Sequence, residues 1–215
     1  MTVSFLRITE IFYSLQGESN SVGLPTVFIR LTGCPLRCNY CDTAYAFSGG
    51  QKMAITDIVL QTSRFGTSYV TVTGGEPLSQ PGCLELLEAL LDEGFIVSLE
   101  TSGALDVSKV DSRVIKVMDL KTPGSGEAGK NLYSNIACLN IQDQVKFVIG
   151  DDNDYQWAKQ MMRDFRLSER CQVLFSPVVP KQNPAELADK ILVDRLPVRF
   201  QIQLHKILWG NVQGK

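Results

Sequence analysis

The chain has 215 residues and a formal net charge of −2, and 44% of its residues are hydrophobic and 20% charged. These values are ordinary for one globular domain. The slightly negative charge and the lack of a basic run argue against direct electrostatic binding of nucleic acid or a membrane surface. No stretch is apolar over the roughly 18 residues that a membrane span requires, and the N-terminal segment lacks the apolar core of a secretion signal. We therefore expect a cytoplasmic protein that binds neither membrane nor nucleic acid.

Short apolar or β-branched runs alternate along the chain with amphipathic segments. The strand candidates are 26–31, 69–73, 96–100, 114–119, 144–149, 172–175 and 200–204. Several are apolar throughout, which is typical of parallel strands covered on both faces. The alternation predicts an α/β fold with a parallel sheet and right-handed crossovers. The pattern alone leaves an open doubly wound sheet and a partial barrel equally possible, and in both the ligand site lies at the carboxyl ends of the strands.

Apolar residues at helical spacing predict helices between these strands. They begin near Ile55 and near Leu84, extend over 151–167, and follow the capping pair Asn183–Pro184. The second helix is expected to stop at Gly94. Segment 104–113 is weakly patterned and predicts at most one helical turn. Segment 122–129, with the sequence TPGSGEAG, is predicted to be a mobile surface loop.

Three cysteines follow the first predicted strand within one short loop. Cys34, Cys38 and Cys41 are separated by three and then two residues, and clustered thiols in a reducing compartment favour metal binding over disulfides. A structural zinc site normally needs four ligands, but no fourth cysteine is near and the only histidine, His205, is far along the chain. The spacing therefore favours an iron–sulfur cluster, with thiolate ligands, over zinc or inert thiols. The other cysteines, Cys83, Cys138 and Cys171, are expected to be small apolar fillers.

The pattern CxxxCxxC resembles the signature of the radical S-adenosylmethionine (SAM) superfamily. That resemblance implies a [4Fe–4S] cluster whose fourth iron is chelated by the methionine part of SAM and whose electron yields a 5′-deoxyadenosyl radical. Tyr40 stands where the superfamily often has an aromatic residue against the adenine. Gly74-Gly75-Glu76-Pro77 resembles the motif that holds the SAM amino group, although alone it would indicate a tight turn.

The run from Phe12 to Thr43 is similar to the 7-carboxy-7-deazaguanine synthase family, and the similarity returns at 100–103, 120–121, 175–177 and 203–206. The resemblance implies one radical SAM domain over 1–215, with an N-terminal substrate-binding extension of about 1–25. It also implies a partial (β/α) barrel of about six mainly parallel strands. The implied reaction converts 6-carboxy-5,6,7,8-tetrahydropterin to 7-carboxy-7-deazaguanine with loss of ammonia, in the biosynthesis of queuosine-type bases. Family members use Mg²⁺ and an electron donor such as flavodoxin or ferredoxin, and are commonly homodimers.

The same resemblance implies a role for each matching residue. Those expected to bind cofactor are Tyr40, Asp42, Gly75, Glu76, Gly103 and Lys121, and Thr43 is expected to ligate Mg²⁺. Those expected to bind substrate are Leu15, Gln16, Gly17, Glu18, Arg30, Thr101 and His205. For Arg30 a structural salt bridge is the alternative, for Glu18 a surface position, and for His205 a structural role. The family more often has Ser-Pro-Lys where this chain has Asp119-Leu120-Lys121, and the tail 209–215 does not match the family's shortest form.

Two other functions fit parts of the sequence. A glycyl-radical enzyme activating protein has the same cysteine spacing, but its target is a protein glycine. A metal-binding assembly module would bind zinc or a cluster without catalysis.

Overall fold

In a computed structural model, which describes residues 4–210 and 212–215, the chain forms one mixed sheet. The strands are β1 (Phe5–Leu15), β2 (Pro25–Leu31), β3 (Gln51–Ala54), β4 (Tyr69–Gly74), β5 (Ile96–Thr101), β6 (Ile115–Asp119), β7 (Gln144–Ile149), β8 (Gln172–Pro177) and β9 (Arg199–Phe200). Their order in the sheet is β3-β1-β2-β4-β5-β6-β7-β8-β9. The edge strands β3 and β9 do not pair with each other, so the described sheet is open.

All pairs from β2 to β9 are parallel, and only the pairs of β1 with β2 and β3 are antiparallel. The helices are α1 (Ile55–Ser63), α2 (Cys83–Asp92), α3 (Asp152–Asp164), α4 (Pro184–Val193) and α5 (Leu204–Trp209). The first four cover one face of the sheet in two buried clusters. One cluster joins β1, β2, β4 and β5 to α1 and α2, and the other joins β6, β7 and β8 to α3 and α4. The prediction of an α/β partial barrel is confirmed.

The strand count of about six was too low. The two strands that the pattern missed, β1 and β3, form the antiparallel margin of the sheet. β1 carries Arg7 and Glu10 and is only partly buried, because an edge that faces solvent on one side does not need a continuous apolar run. The predicted strand 200–204 is also shorter than expected. The chain leaves the sheet after Phe200, and Leu204 begins α5 with its N–H donating to Gly17 O at 3.0 Å.

The predicted start of α4 and the predicted stop of α2 are confirmed, whereas α3 ends at Asp164, three residues before the predicted end. The side chain of Asn183 accepts from Ala185 N at 2.9 Å, directly before Pro184 in the first turn of α4. Gly94 follows α2 with φ of +86°, the left-handed conformation that glycine adopts without strain. Among the described residues, no helix is long and apolar enough to span a membrane.

Candidate active site

A cavity of about 700 Å³ opens at the carboxyl ends of the parallel strands. Every strand from β4 to β8 contributes to its wall, together with β1, β2, the cysteine loop and the C-terminal segment. The strands alternate their side chains between the two faces, as β4 illustrates. Val70 and Val72 pack into the core under the helices, whereas Thr73 lines the cavity. The helices therefore bury one face of the sheet and leave a polar inner face for chemistry.

All three clustered cysteines line this cavity. Cys34, Cys38 and Cys41 are half-buried, free thiols in the loop that leaves β2. Burial raises the pKa of the Cys34 and Cys38 thiols. In the described part of the chain, no three His, Cys, Asp or Glu side chains gather around one point as a single metal ion requires. An iron–sulfur cluster is itself several ångströms across, so its three ligands surround a volume rather than meeting at one point.

The cysteine loop is held in place by the segment 122–129, which was predicted to be a mobile surface loop. The backbone N–H of Arg37 donates to Glu127 Oε1 at 2.6 Å, and that of Asn39 donates to Ser125 O at 2.9 Å. Ser125 itself is fully buried. The prediction of a free surface loop is therefore wrong, because a Pro/Gly-rich composition also suits backbone that must bind another loop closely.

Gly75 allows the strand end of β4 to lie directly against the cysteine loop. A Cβ atom at this position would lie 2.2 Å from Gly33 O and 2.8 Å from Cys34 Cβ. Close backbone approach is the physical reason for a glycine here. The next residue, Glu76, is fully buried and is not part of the cavity lining.

The carboxylate of Glu76 binds the last residue of β5 and the residue that follows it. Its Oε2 accepts from the backbone N–H of Ser102 at 2.7 Å and from the Thr101 hydroxyl at 2.9 Å, and its Oε1 accepts from Leu78 N at 3.1 Å. Thr101 lines the cavity, so this network fixes a residue of the wall from behind. Gly103, with φ of +72°, is outside the lining and packs against Met118.

The inner face of the sheet carries ionised side chains at neighbouring positions. Arg30 on β2 pairs in register with Thr73 on β4, and Asp119 on β6 pairs with Lys146 on β7. Lys146 Nζ lies 2.7 Å from Glu18 Oε2 and 3.5 Å from Asp119 Oδ2. Burial alone would lower the pKa of Lys146, but the Glu18 and Asp119 carboxylates outweigh it and hold that pKa well above its usual value.

Lys121 continues the same network towards the cysteines. Its Nζ lies 3.0 Å from Asp119 Oδ2. Burial raises the pKa of the nearby Tyr40 phenol to about 12, and the charge of Asp119 adds to this shift. The sequence interpretation assigned no role to Lys146, and no local pattern could have found it, because its partner Glu18 is distant in sequence.

Arg30 shows both of the alternatives that the sequence left open. Its Nε donates to Glu10 Oε1 at 2.7 Å, so a structural salt bridge is present. The guanidinium carbon also lies 5.8 Å from the ring centroids of Phe12 and Tyr45. Its two terminal nitrogens form no hydrogen bond to the described part of the chain, and Arg30 lines the cavity. The side chain is thus oriented by one nitrogen and leaves two donors for an anion.

The predicted substrate residues of the β1–β2 connection lie together at one side of the cavity. Gln16 is nearly fully buried, and its Nε2 donates to Thr71 Oγ1 at 3.1 Å. Gly17 makes room for His205, since a Cβ there would lie 2.4 Å from its Nδ1. Burial lowers the pKa of the His205 imidazole. Leu15 also lines the cavity.

Asp42 and Thr43 follow the last cysteine and also line the cavity, where Gln203 Nε2 lies 3.5 Å from Asp42 Oδ2 and 2.7 Å from Glu18 Oε1. Asp42 Oδ2 lies 2.9 Å from Lys206 Nζ, and the Thr43 hydroxyl lies 3.8 Å from Cys41 Sγ. The C-terminal residues Val212–Lys215 complete the wall. Asn211, which belongs to the tail 209–215 that does not match the family's shortest form, lies outside the described residues.

Comparison with known proteins decides between the possible functions. Residues 28–191 match the radical SAM superfamily. A 7-carboxy-7-deazaguanine synthase of Chlorobaculum tepidum is 44% identical, over 95% of this chain and 94% of that protein. This chain belongs to the 7-carboxy-7-deazaguanine synthase family. The synthase of Methanospirillum hungatei is 40% identical over 95% of this chain and 86% of its own length.

Solved structures agree on the fold of this 7-carboxy-7-deazaguanine synthase family member. QueE from Escherichia coli superposes with a TM-score of 0.76 at 22% identity, covering 94% of this chain and 95% of that one. SuiB of Streptococcus suis bound to SAM gives a TM-score of 0.55 at 15% identity, over 80% of this chain and 48% of that one. The predicted family, fold and enzyme class are confirmed, which favours neither the glycyl-radical activating protein nor the assembly module.

The residues of this radical SAM enzyme fit the cofactors that its superfamily implies, a [4Fe–4S] cluster and SAM. The donor set of three thiols on one wall suits a cluster with one iron free of protein ligands. Because Gly75 has no side chain, the backbone at the end of β4 can contact the backbone of the cysteine loop directly. Of the six predicted cofactor-binding residues, four line the cavity and two, Glu76 and Gly103, stand behind its wall. A direct contact of these two with SAM stays a prediction.

Proposed function

We propose that this chain converts 6-carboxy-5,6,7,8-tetrahydropterin to 7-carboxy-7-deazaguanine and ammonia. The observation that carries the proposal is the shared cavity, in which three thiols face an inner sheet surface that holds fixed charges of both signs. A radical enzyme needs a site that excludes water and orients a polar substrate without rearrangement of its own groups.

The cluster would be held by Cys34, Cys38 and Cys41, and with SAM it supplies the radical that starts the rearrangement. Tyr40, Asp42, Gly75 and Lys121 line the cavity beside these thiols, and we assign the SAM side of the cavity to them. Lys121 is kept protonated by Asp119 at 3.0 Å, so the pair can meet either end of a zwitterionic amino acid.

The pterin would occupy the adjoining part of the cavity, which Lys146 and Gln203 link to the SAM part. The two free nitrogens of Arg30 suit its carboxylate. The aminopyrimidinone edge needs an acceptor for its N–H groups, and Glu18 supplies an ionised one because Lys146 at 2.7 Å offsets the cost of burying it. Leu15, Gly17, Thr101 and His205 complete this side. Gln16 also lines the cavity although its side chain is nearly fully buried, and a direct contact of Gln16 with the substrate stays a prediction.

Several finer assignments belong to the same proposal. The chain would be one radical SAM domain over 1–215, whose segment 1–25 contributes substrate contacts; residues 1–3 of it lie outside the described residues. Mg²⁺ would bind the Thr43 hydroxyl together with substrate oxygens and water, since this ion prefers oxygen ligands and retains waters. An electron donor such as flavodoxin or ferredoxin would reduce the cluster, and the enzyme would act as a homodimer.

The test is anaerobic turnover. The reconstituted protein is supplied with the carboxylated pterin, SAM, Mg²⁺ and a reductant, and the product is scored by mass. We expect a brown protein with about four irons per chain that forms 7-carboxy-7-deazaguanine. A protein that cleaves SAM but leaves the pterin unchanged would contradict the proposed substrate.

The magnesium assignment has its own variant. Thr43→Ala is expected to lower activity and remove its dependence on added Mg²⁺ while the iron content stays the same. If Thr43→Ala retained the same Mg²⁺ dependence as the unaltered protein, the ion would bind elsewhere.

A further inference from the structure

One carboxyl side chain of the cavity differs from the others in its partners. Four carboxyl side chains line the cavity, and three of them are within 4.0 Å of a lysine nitrogen; the pairs are Glu18 with Lys146, Asp42 with Lys206, and Asp119 with both Lys121 and Lys146. In the described part of the chain, Glu100 forms no such ion pair.

The hydrogen bonds of Glu100 come from neutral groups. The hydroxyl of Thr73 donates to its Oε2 at 2.8 Å, and the amide of Gln16 lies 3.4 Å from its Oε1. Both partners are held in place, since Thr73 and Glu100 directly follow the last paired residues of β4 and β5, Val72 and Leu99, and Gln16 is nearly fully buried. The carboxyl group is therefore held in one place inside the cavity while its charge is not neutralised.

The surroundings of Glu100 favour its protonated form. Burial raises its pKa, and the negative charge of Glu18 raises it further. Lys146 on β7, the hydrogen bond from the Thr73 hydroxyl and Arg30 on β2 act in the opposite direction, but the two cations are already paired with Glu18 and Glu10. Of the four carboxyl groups of this cavity, Glu100 is thus the one that has no paired cation and whose surroundings favour the protonated form.

We propose that Glu100 is a catalytic residue that transfers the proton needed for loss of ammonia from the contracted ring. This inference rests on the proposed function, because only that reaction expels a ring nitrogen. The carbon–nitrogen bond breaks with its electron pair going to nitrogen, and the Glu100 O–H proton goes to the same nitrogen, which leaves as NH₃. The neighbouring ring CH₂ then gives a proton to the Glu100 carboxylate, and its electron pair forms the ring double bond. One proton is given and one is taken back, so this step needs no oxidant or reductant.

The three other carboxyl groups of the cavity, together with Lys146 and His205, are less suited to this exchange. Lysine charges lower the pKa of Glu18, Asp42 and Asp119 against the effect of burial, so these groups lack a proton to give. Lys146 has a raised pKa and does not release its proton. Burial lowers the pKa of His205, so its imidazole is neutral and carries no extra proton for a departing nitrogen.

The experiment compares the reconstituted enzyme with Glu100→Gln in anaerobic single turnovers of the carboxylated pterin. Glutamine keeps the shape and can still accept from Thr73, but it cannot exchange a proton. We expect pterin consumption to continue while the rate of product formation falls about 100-fold or more, the usual contribution of a positioned acid–base group. A compound heavier than the product by one ammonia should accumulate; it is an isomer of the substrate, so chromatographic retention distinguishes the two. Glu186→Gln, at an exposed position on α4, is the matched control and should form product at the unaltered rate.

Several results would overturn the inference. Glu100→Gln could form product at the unaltered rate, or raise KM with kcat unchanged, in which case Glu100 only binds substrate. If Glu100→Gln fails to bind the cluster, the role of Glu100 is tested instead by the pH dependence of the unaltered enzyme. Its ratio of product to consumed pterin should fall as pH rises through the raised pKa of Glu100, and a constant ratio refutes the role. Failure of the proposed function is distinct, since the unaltered enzyme would then cleave SAM and form no 7-carboxy-7-deazaguanine at all.

Discussion

Replacing Gly75 by alanine tests whether the cysteine loop depends on contact with the end of β4. The added Cβ would lie 2.2 Å from Gly33 O, about 1.2 Å inside the 3.4 Å at which ordinary contact begins, and 2.7 Å from Gly33 C. Because both atoms belong to the backbone, no side-chain rotation relieves the overlap. Overpacking of this kind costs about 1–3 kcal/mol. For a domain of this length, about 2 kcal/mol corresponds to a lower Tm by about 4–8 °C.

Gly129→Ala is the matched control for this variant. Gly129 has no atom within 4 Å of the built Cβ and lies in the short 3₁₀ turn Ala128–Lys130. Both substitutions stabilise the folded protein equally by restricting the unfolded chain, so the difference between them isolates the overlap at Gly75. The measurements are urea unfolding of the cluster-free protein and iron bound per chain after reconstitution.

We expect Gly75→Ala to lose both stability and cluster, because the displaced atoms belong to the backbone that carries Cys34. We expect Gly129→Ala to match the unaltered protein or exceed it slightly. Equal stability and equal iron content of the two variants would show that the cysteine loop tolerates displacement, and the reasoning from close backbone approach would then be refuted.

Three further predictions concern other parts of the molecule. Asp143→Ala is expected to cost about 3–5 kcal/mol in urea unfolding without changing the affinity for SAM, because it leaves the ammonium of Lys116 buried and unpaired; a smaller loss would mean that water reaches the pair. His205, the only histidine, should titrate by NMR below its usual pKa of 6.5, and His205→Gln should reduce the loss of stability that follows as pH falls below that value. Glu127→Ala should release cluster iron to a chelator several-fold faster, whereas Glu127→Gln, which still accepts from Arg37, should not.

The parallel part of the fold was predictable from the sequence because burial on both faces leaves a local signal. The runs at 144–149 and 172–175 became β7 and β8 with nearly the predicted ends. β1 was missed because its signal is not local. Its eleven residues include charged ones that are stabilised by other segments, such as the pairing of Glu10 with Arg30 at 2.7 Å.

The candidate site was predictable where a residue type is itself unusual, and not where its role depends on a distant partner. The cysteine spacing needed no structure, and Gly74-Gly75, which alone would indicate a tight turn, gained its meaning from following the cysteines by one strand. Lys146 looks like any lysine in a strand until the fold brings it to Glu18, 128 residues away. The segment 122–129 has the composition of a flexible loop, and only its hydrogen bonds to the cysteine loop reveal its function.

Charge pairing explains why the inner face of this sheet can be so polar without losing stability. An isolated buried charge costs several kcal/mol, and the cost falls only when a partner is close and its other hydrogen bonds are satisfied. Lys146, placed between Glu18 and Asp119, meets that condition. Because the pairs are already formed, a substrate finds oriented charges and does not need to reorganise them. Glu100 has no paired cation, so burying its carboxyl group lowers the stability of the fold and packing does not offset that loss. Its proposed role in catalysis gives a physical reason for keeping it.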